Sequence, residues 1–190
     1  MATANEKLAQ SDPAKNARKI GEQAPAFSLP NATGQIVSLA EVLTRGPVVL
    51  SFYRGGWCPY CNLELQALQR HLPEIREMGA SLLAVSPQTP DNSLSTAEKH
   101  QLQFDVLSDQ GDQVARTYGL VFTVPPELHS IYRQWGIDIP AWNGDESWEL
   151  PLPATYVIDR GGIIRSAFVN LDYTQRMEPA DILRELRALT

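Results

Sequence analysis

The sequence predicts an α/β fold, a central mixed β-sheet with helices on both faces, and three observations carry the prediction. The runs PVVLSFY at 47–53 and SLLAV at 81–85 have no polar alternation, as strands buried on both faces do. Leu65, Leu68, Leu72 and Ile75 recur at three- and four-residue steps, the period of a helix packed along one side. Strand and helix patterns then alternate before a closing hairpin and a last helix, an order that covers both sides of a sheet.

Taken in order, residues 1–18 form a polar arm with one short helical piece around Asn5 to Gln10. Pro25, Pro30, Asn31 and Gly34 make the next segment loop and hairpin. Ser38 and Glu41 have the spacing of a capping box, so a short helix starts near Leu39 and ends by Gly46. The 47–53 strand follows. A helix then begins around Cys58 and Pro59, with Pro73 expected to kink or divide it. Ser81 to Val85 is a second strand, Asp91 to Gln103 a helix, Phe104 to Leu107 a third strand and Gly111 to Tyr118 another helix. Residues 120–153 hold three of the four tryptophans and five prolines. They read as an ordered insertion, helical at Glu127 to Trp135, that closes over something or packs on a partner subunit. TYVID and IIRSAFV pair across a DRGG turn, and a final helix runs from about Pro179. Residues 19–190 are thus expected to form one domain carrying the 120–153 insertion.

An apolar fraction of 43% in 190 residues is enough for a real core and excludes wholesale disorder. The net charge of −6 comes without long runs of either sign, which argues against nucleic acid or an anionic membrane as partner. No run approaches the ~20 apolar residues of a membrane span. Lysines stand at positions 7, 15, 19 and 99, so positive charge in the body of the fold must come mostly from arginine. The first residues lack the apolar region of a secretory signal, and a cytoplasmic location is expected. In that reducing setting a lone CxxC is more often catalytic or metal-binding than a permanent staple.

Both cysteines lie in the stretch RGGWCPYCN at 54–62, where a strand ends and a helix begins. The unpaired N–H groups of a helix's first turn and the positive end of its dipole favour a thiolate at Cys58. Pro59 suits the first helical position, since it has no N–H to lose. At i and i+3 the two Cα atoms are about 5 Å apart, within the span of a disulfide. The pair can therefore cycle between dithiol and disulfide. Zinc needs about four ligands where the motif gives two, and His71, His100 and His129 are scattered, so no metal or other cofactor is expected. Two buried thiols without chemistry are the other plain reading. Arg54 is either a fixed positive charge beside the thiols or a solvated loop residue. Trp57 and Tyr60 either shape a substrate surface or pack beside the strand end, and Gly55 and Gly56 allow a sharp turn and close approach.

VVLSFYRGGWCPYC resembles the active-site strand and helix of the thioredoxin superfamily, and CPYC is the tetrapeptide typical of glutaredoxins. GEQAPAFSLPNATGQIVSL and ATYVIDRGGIIR resemble the peroxiredoxin family (alkyl hydroperoxide reductase and thiol-specific antioxidant proteins) over roughly residues 20–190. The resemblance implies a thioredoxin fold with peroxiredoxin-type N-terminal additions. It also implies a hydroperoxide or small disulfide as substrate, thioredoxin or glutathione as reductant, and a possible homodimer. Alignment on the family's Pro-x-x-x-Thr-x-x-Cys loop puts Cys61 at the peroxidatic position, Cys58 at the threonine and Arg54 at the proline. Pro153 then stands where the family's second active-site arginine usually does. In the thioredoxin alignment Cys58 is instead an exposed nucleophile, Cys61 resolves, and Pro153 matches the cis-proline opposite the active site. The implied activity is peroxide reduction through a Cys58/Cys61 disulfide with Arg54, Trp57, Tyr60 and Pro153 around it. A protein-disulfide or glutathione-disulfide reductase and a non-enzymatic redox-sensing module are the alternatives.

Overall fold

A computed structural model describes residues 13–189. The helical piece expected around Asn5 to Gln10 lies outside the described residues. After a 3-10 turn at Pro13–Asn16, β1 (Ser28–Pro30) and β2 (Ile36–Ser38) form the expected hairpin, and α1 (Leu39–Arg45) follows. Ser38 is the N-cap of α1, but its side chain makes no capping hydrogen bond, so the capping box is present as spacing and not as a bond.

The main sheet is assembled from β3 (Val48–Phe52), β4 (Ser81–Ser86), β5 (Asp105–Ser108), β8 (Ala154–Ile158) and β9 (Ile164–Val169) in the order β5-β4-β3-β8-β9. β3, β4 and β5 run parallel, while β8 is antiparallel to both β3 and β9, which makes the sheet mixed as predicted. Between these strands lie α2 (Pro59–Glu77), α3 (Pro90–Lys99) and α4 (Gln113–Thr117), and α7 (Pro179–Arg187) closes the chain. Pro73 sits inside α2 without dividing it. The helix tolerates the missing N–H because Leu65, Leu68, Leu72 and Ile75 are buried along one face and hold it to the sheet.

Alternation along β3 sends successive side chains to opposite layers. Val48, Leu50 and Phe52 enter a core with Leu39, Val42, Tyr118 and Tyr156, while Val49 joins Leu68, Leu72, Ile75, Ile182 and Leu183 beneath α2 and α7. Ser51 and Tyr53 face the same way as Val49, and that layer carries the chemistry.

The 120–153 segment is ordered. It contains β6 (Val121–Thr123), α5 (Pro126–Gln134), α6 (Ile139–Asn143) and β7 (Glu149–Pro151), with β6 and β7 paired. Val124, Ile139, Trp148 and Leu150 give it a small core of its own, against which Trp57 and Tyr132 pack. The segment packs on the loop that bears Trp57. Among the described residues no helix is long and apolar enough to cross a membrane.

Candidate active site

The loop after β3 is shaped by two glycines. Gly55 has φ 149°, and a Cβ on it would stand 2.4 Å from Trp57 Nε1. One on Gly56 would stand 2.4 Å from Thr96 Oγ1. The bare backbone can thus press against the buried Gln88, whose Oε1 accepts the Gly56 N–H at 2.5 Å and whose Nε2 donates to Tyr53 OH at 3.2 Å. From the helix side, Asn62 Nδ2 donates to the Gly56 carbonyl at 2.9 Å. The chain so constrained enters α2 with Cys58 as N-cap and Pro59 in the first turn.

Cys58 and Cys61 are both free thiols with no exposed surface. The exposed Cys58 implied by the thioredoxin alignment is therefore corrected: side chains from three parts of the chain cover it. Arg54, itself buried, donates from Nη2 to Cys58 Sγ at 3.3 Å and from Nη1 to Tyr132 OH at 3.5 Å. Its guanidinium carbon lies 4.1 Å from the ring centroid of Tyr173 and 5.0 Å from that of Trp57. Trp57 in turn meets Tyr132 edge-on at 5.8 Å, which ties the insertion to the loop.

These neighbours decide where the negative charge of the pair resides. The Cys61 thiol donates to Cys58, and this, with the charge and hydrogen bond of Arg54, holds the Cys58 thiol well below the ordinary cysteine range against the opposing effect of burial. The Cys61 backbone N–H adds a smaller contribution, although Cys58 forms no full side-chain cap on the helix. Burial pushes Cys61 well above that range, and its hydrogen bond to Cys58 and the charge there push the same way. Both shifts favour a pair with its negative charge on Cys58 and its proton on Cys61.

Beneath Cys61 is a second ion site. Arg176, from the loop before α7, donates from Nη2 to Cys61 Sγ at 3.4 Å and from Nε to Glu64 Oε2 at 2.6 Å. The other Glu64 oxygen accepts long hydrogen bonds from Ser51 Oγ at 3.4 Å and Thr155 Oγ1 at 3.5 Å, residues that face one another across β3 and β8. Burial pushes the Glu64 carboxyl up to about 7 even though Arg176 pulls it down. Arg176 Nη1 also donates to the backbone carbonyls of Tyr173 and Gln175, so the loop is wound around its own arginine.

Of the residues singled out in the sequence, Arg54, Trp57, Cys58 and Cys61 come together. Tyr60 stands at the rim, partly exposed, with its ring 5.8 Å from that of Tyr173. Pro153 is buried at the start of β8, next to Ala154, which pairs with Phe52. Among the described residues every peptide bond is trans, so the match to a cis-proline is corrected. Sequence reading missed Glu64, Tyr132, Tyr173 and Arg176. Glu64 carried a signal, an acidic residue three positions after Cys61 and directly before the buried Leu65. Arg176, 115 residues from Cys61, carried none. Among the described residues no group of three or more His, Cys, Asp and Glu is placed to hold a metal.

A sequence model of the AhpC/TSA family matches residues 20–167. Peroxiredoxin Bcp of Escherichia coli K12 is 32% identical over 105 residues, covering 55% of this chain and 67% of that protein. Chloroplastic peroxiredoxin Q of Populus jackii is 26% identical over 150 residues, 79% of this chain and 60% of that protein. Among solved structures, peroxidoxin BcpB of Mycobacterium tuberculosis superposes with a TM-score of 0.72 at 24% identity, covering 90% of this chain and 98% of that one. The bacterioferritin comigratory protein of Xanthomonas campestris does so with a TM-score of 0.65 at 16% identity, covering 85% and 90%. At those identities the structural likeness establishes the fold.

Proposed function

The chain belongs to the AhpC/TSA family, and on that premise we propose that it is a thiol peroxidase working through Cys58 and Cys61. One observation carries the assignment of roles: the hydrogen bond from Arg54 Nη2 to Cys58 Sγ, at 3.3 Å, with both residues buried. A thiolate held by a buried guanidinium is a ready nucleophile.

In the first step the Cys58 thiolate attacks the terminal oxygen of a hydroperoxide. The O–O bond breaks, Cys58 becomes a sulfenic acid, and the alcohol or water leaves after gaining a proton. Arg54 stabilises the charge that moves onto the departing oxygen. In the second step the Cys61 sulfur attacks Cys58 Sγ, loses its proton and expels the hydroxyl as water, leaving the disulfide. A dithiol of the thioredoxin type, or two glutathione molecules, returns the two electrons. Because Cys58 is covered, entry of peroxide requires Arg54, Tyr173 or Tyr132 to shift.

Peroxide consumption coupled to thioredoxin and its reductase tests this. Wild type is expected to turn over hydrogen peroxide or an organic hydroperoxide, Cys58→Ser to be inert, and Cys61→Ser to stop after one sulfenic acid per chain. Turnover by Cys58→Ser would transfer the nucleophile to Cys61. Reduction of insulin or of a glutathione mixed disulfide without peroxide turnover would make the protein a disulfide reductase.

A further inference from the structure

The alignment leaves the family's second arginine position filled by Pro153, yet Cys61 has an arginine on it, delivered from elsewhere in the chain. We propose that Arg176 is the catalytic residue of the second step, stabilising Cys61 as the thiolate that closes the disulfide, and that Glu64 is the positioning residue that aims it. The proposal rests on the reading of Cys58 as the first nucleophile.

The geometry separates the work of the two arginines. Arg54 has its Nη2 on Cys58 and Arg176 has its Nη2 on Cys61. Glu64 takes the Nε of Arg176, and the carbonyls of Tyr173 and Gln175 take Nη1, so Nη2 is directed at sulfur by contacts on the other two nitrogens. The turn that presents Arg176 is itself braced, since Asp172 Oδ1 accepts from Thr174 N at 3.0 Å and Thr174 Oγ1 at 2.7 Å. Glu64 is fixed by the hydroxyls of Ser51 and Thr155 on strands of the central sheet.

This arrangement makes the two steps sequential. At rest the hydrogen bond to Cys58 and the negative charge on that sulfur help keep Cys61 protonated. When Cys58 becomes a sulfenic acid or a mixed disulfide that charge is gone, while Arg176 still faces Cys61. The cost of ionising Cys61 therefore falls after Cys58 has reacted and not before. The balance is simple: Cys61 S–H gives up its proton, its sulfur bonds to Cys58 Sγ, and the group on Cys58 leaves with the electron pair and takes up the proton.

The test uses methyl methanethiosulfonate, a disulfide-forming reagent small enough for covered thiols, followed by quenched-flow mass spectrometry of the whole protein. Appearance of the S-methylthio adduct on Cys58 reports the first step, and its conversion to the internal disulfide with loss of methanethiol reports the second. In Arg176→Gln the second step is expected to slow by about tenfold or more, the usual consequence of losing a charge-assisted hydrogen bond, with the first step changed by less than about threefold. Arg176→Lys should recover part of the loss, and in peroxide Arg176→Gln should accumulate dimedone-reactive sulfenic acid. Glu64→Gln/Arg176→Gln replaces the ion pair by two amides, so that no lone buried charge threatens folding, and should show the same second-step defect. Equal slowing of both steps, or a normal second step in the double variant, overturns the proposal. If the thiosulfonate data fit while wild type leaves peroxide untouched, the role of Arg176 stands and the peroxidase reading falls.

Discussion

Cys58 and Cys61 lie three residues apart, both are sealed from solvent, and each has an arginine nitrogen within 3.4 Å, yet their acidities diverge in opposite directions. The difference lies in what else each site contains. Cys58 is offered a thiol proton by Cys61, sits at the start of α2, and faces an arginine that pairs with no carboxylate among the described residues and is surrounded by aromatic rings. Cys61 lies one turn deeper, donates to a neighbour that is already charged, and shares its arginine with Glu64. One negative charge is available to the pair, and the hydrogen bond from Cys61, together with the charge and hydrogen bond of Arg54, favours it on Cys58. Proximity to a cation is thus a poor guide by itself; burial and the neighbouring thiol matter as much.

The largest expected way to erase this difference is Arg54→Gln. Without the guanidinium Cys58 keeps the Cys61 donor but loses its charged partner, and its alkylation by iodoacetamide at neutral pH should fall about ten- to a hundredfold. An unchanged rate would mean that Arg54 does not hold the thiolate.

The pH profile sharpens the same contrast. A cysteine of ordinary acidity loses about a hundredfold in alkylation rate between pH 8.5 and pH 6, and Cys58, with its lowered value, should lose far less in the Cys61→Ala protein only if Arg54 is the main cause. A profile there as steep as that of a free thiol would assign the effect to the Cys61 hydrogen bond instead. In linkage terms, a lowered value in the folded state stabilises the reduced protein fully above the ordinary cysteine range. That contribution is lost as pH falls through the lowered value. Melting of the reduced protein, compared with the oxidised one, should show this added sensitivity to acid.

Glu64 gives the opposite sign on the other side of the site. Its carboxyl, raised from 4.5 to about 7 by burial, favours the folded state while it is protonated, and that contribution is lost as pH rises through neutrality. Glu64→Gln, which cannot ionise, should remove a slope on the order of 3 kcal/mol at most from the stability curve between pH 4.5 and 7. A curve that keeps its slope would show the carboxyl ionised throughout by Arg176. The smallest effect is expected from Tyr173→Leu, which uncovers Arg54 while leaving the Arg176 backbone acceptors in place. It should cost about 1 kcal/mol of stability and make Cys58 more accessible to alkylation by a few fold, with Cys61 unaffected.

Much of this site is local and could be read from nine residues. The N-cap placement of Cys58 and the role of Pro59 in the first turn follow from backbone geometry within RGGWCPYCN, whereas the close approach at Gly56 is made to Thr96 and Gln88. Pro73 does not divide α2, because the local steric cost is set against the buried face that holds the helix together. Pro153 misled because an aligned proline does not carry its isomer with it.

The sequence by itself determined an α/β chain, a thiol pair within bonding reach and the placing of Cys58 at a helix entrance, because each depends on spacing along a few residues. Tertiary structure alone decided that both sulfurs are covered, that Tyr132 and Tyr173 enclose Arg54, and that Arg176 meets Glu64 under Cys61. The reason is physical: sheet register and loop path bring residues 115 positions apart to within 3.4 Å, and Coulomb and desolvation effects depend on that distance and burial, not on separation along the chain.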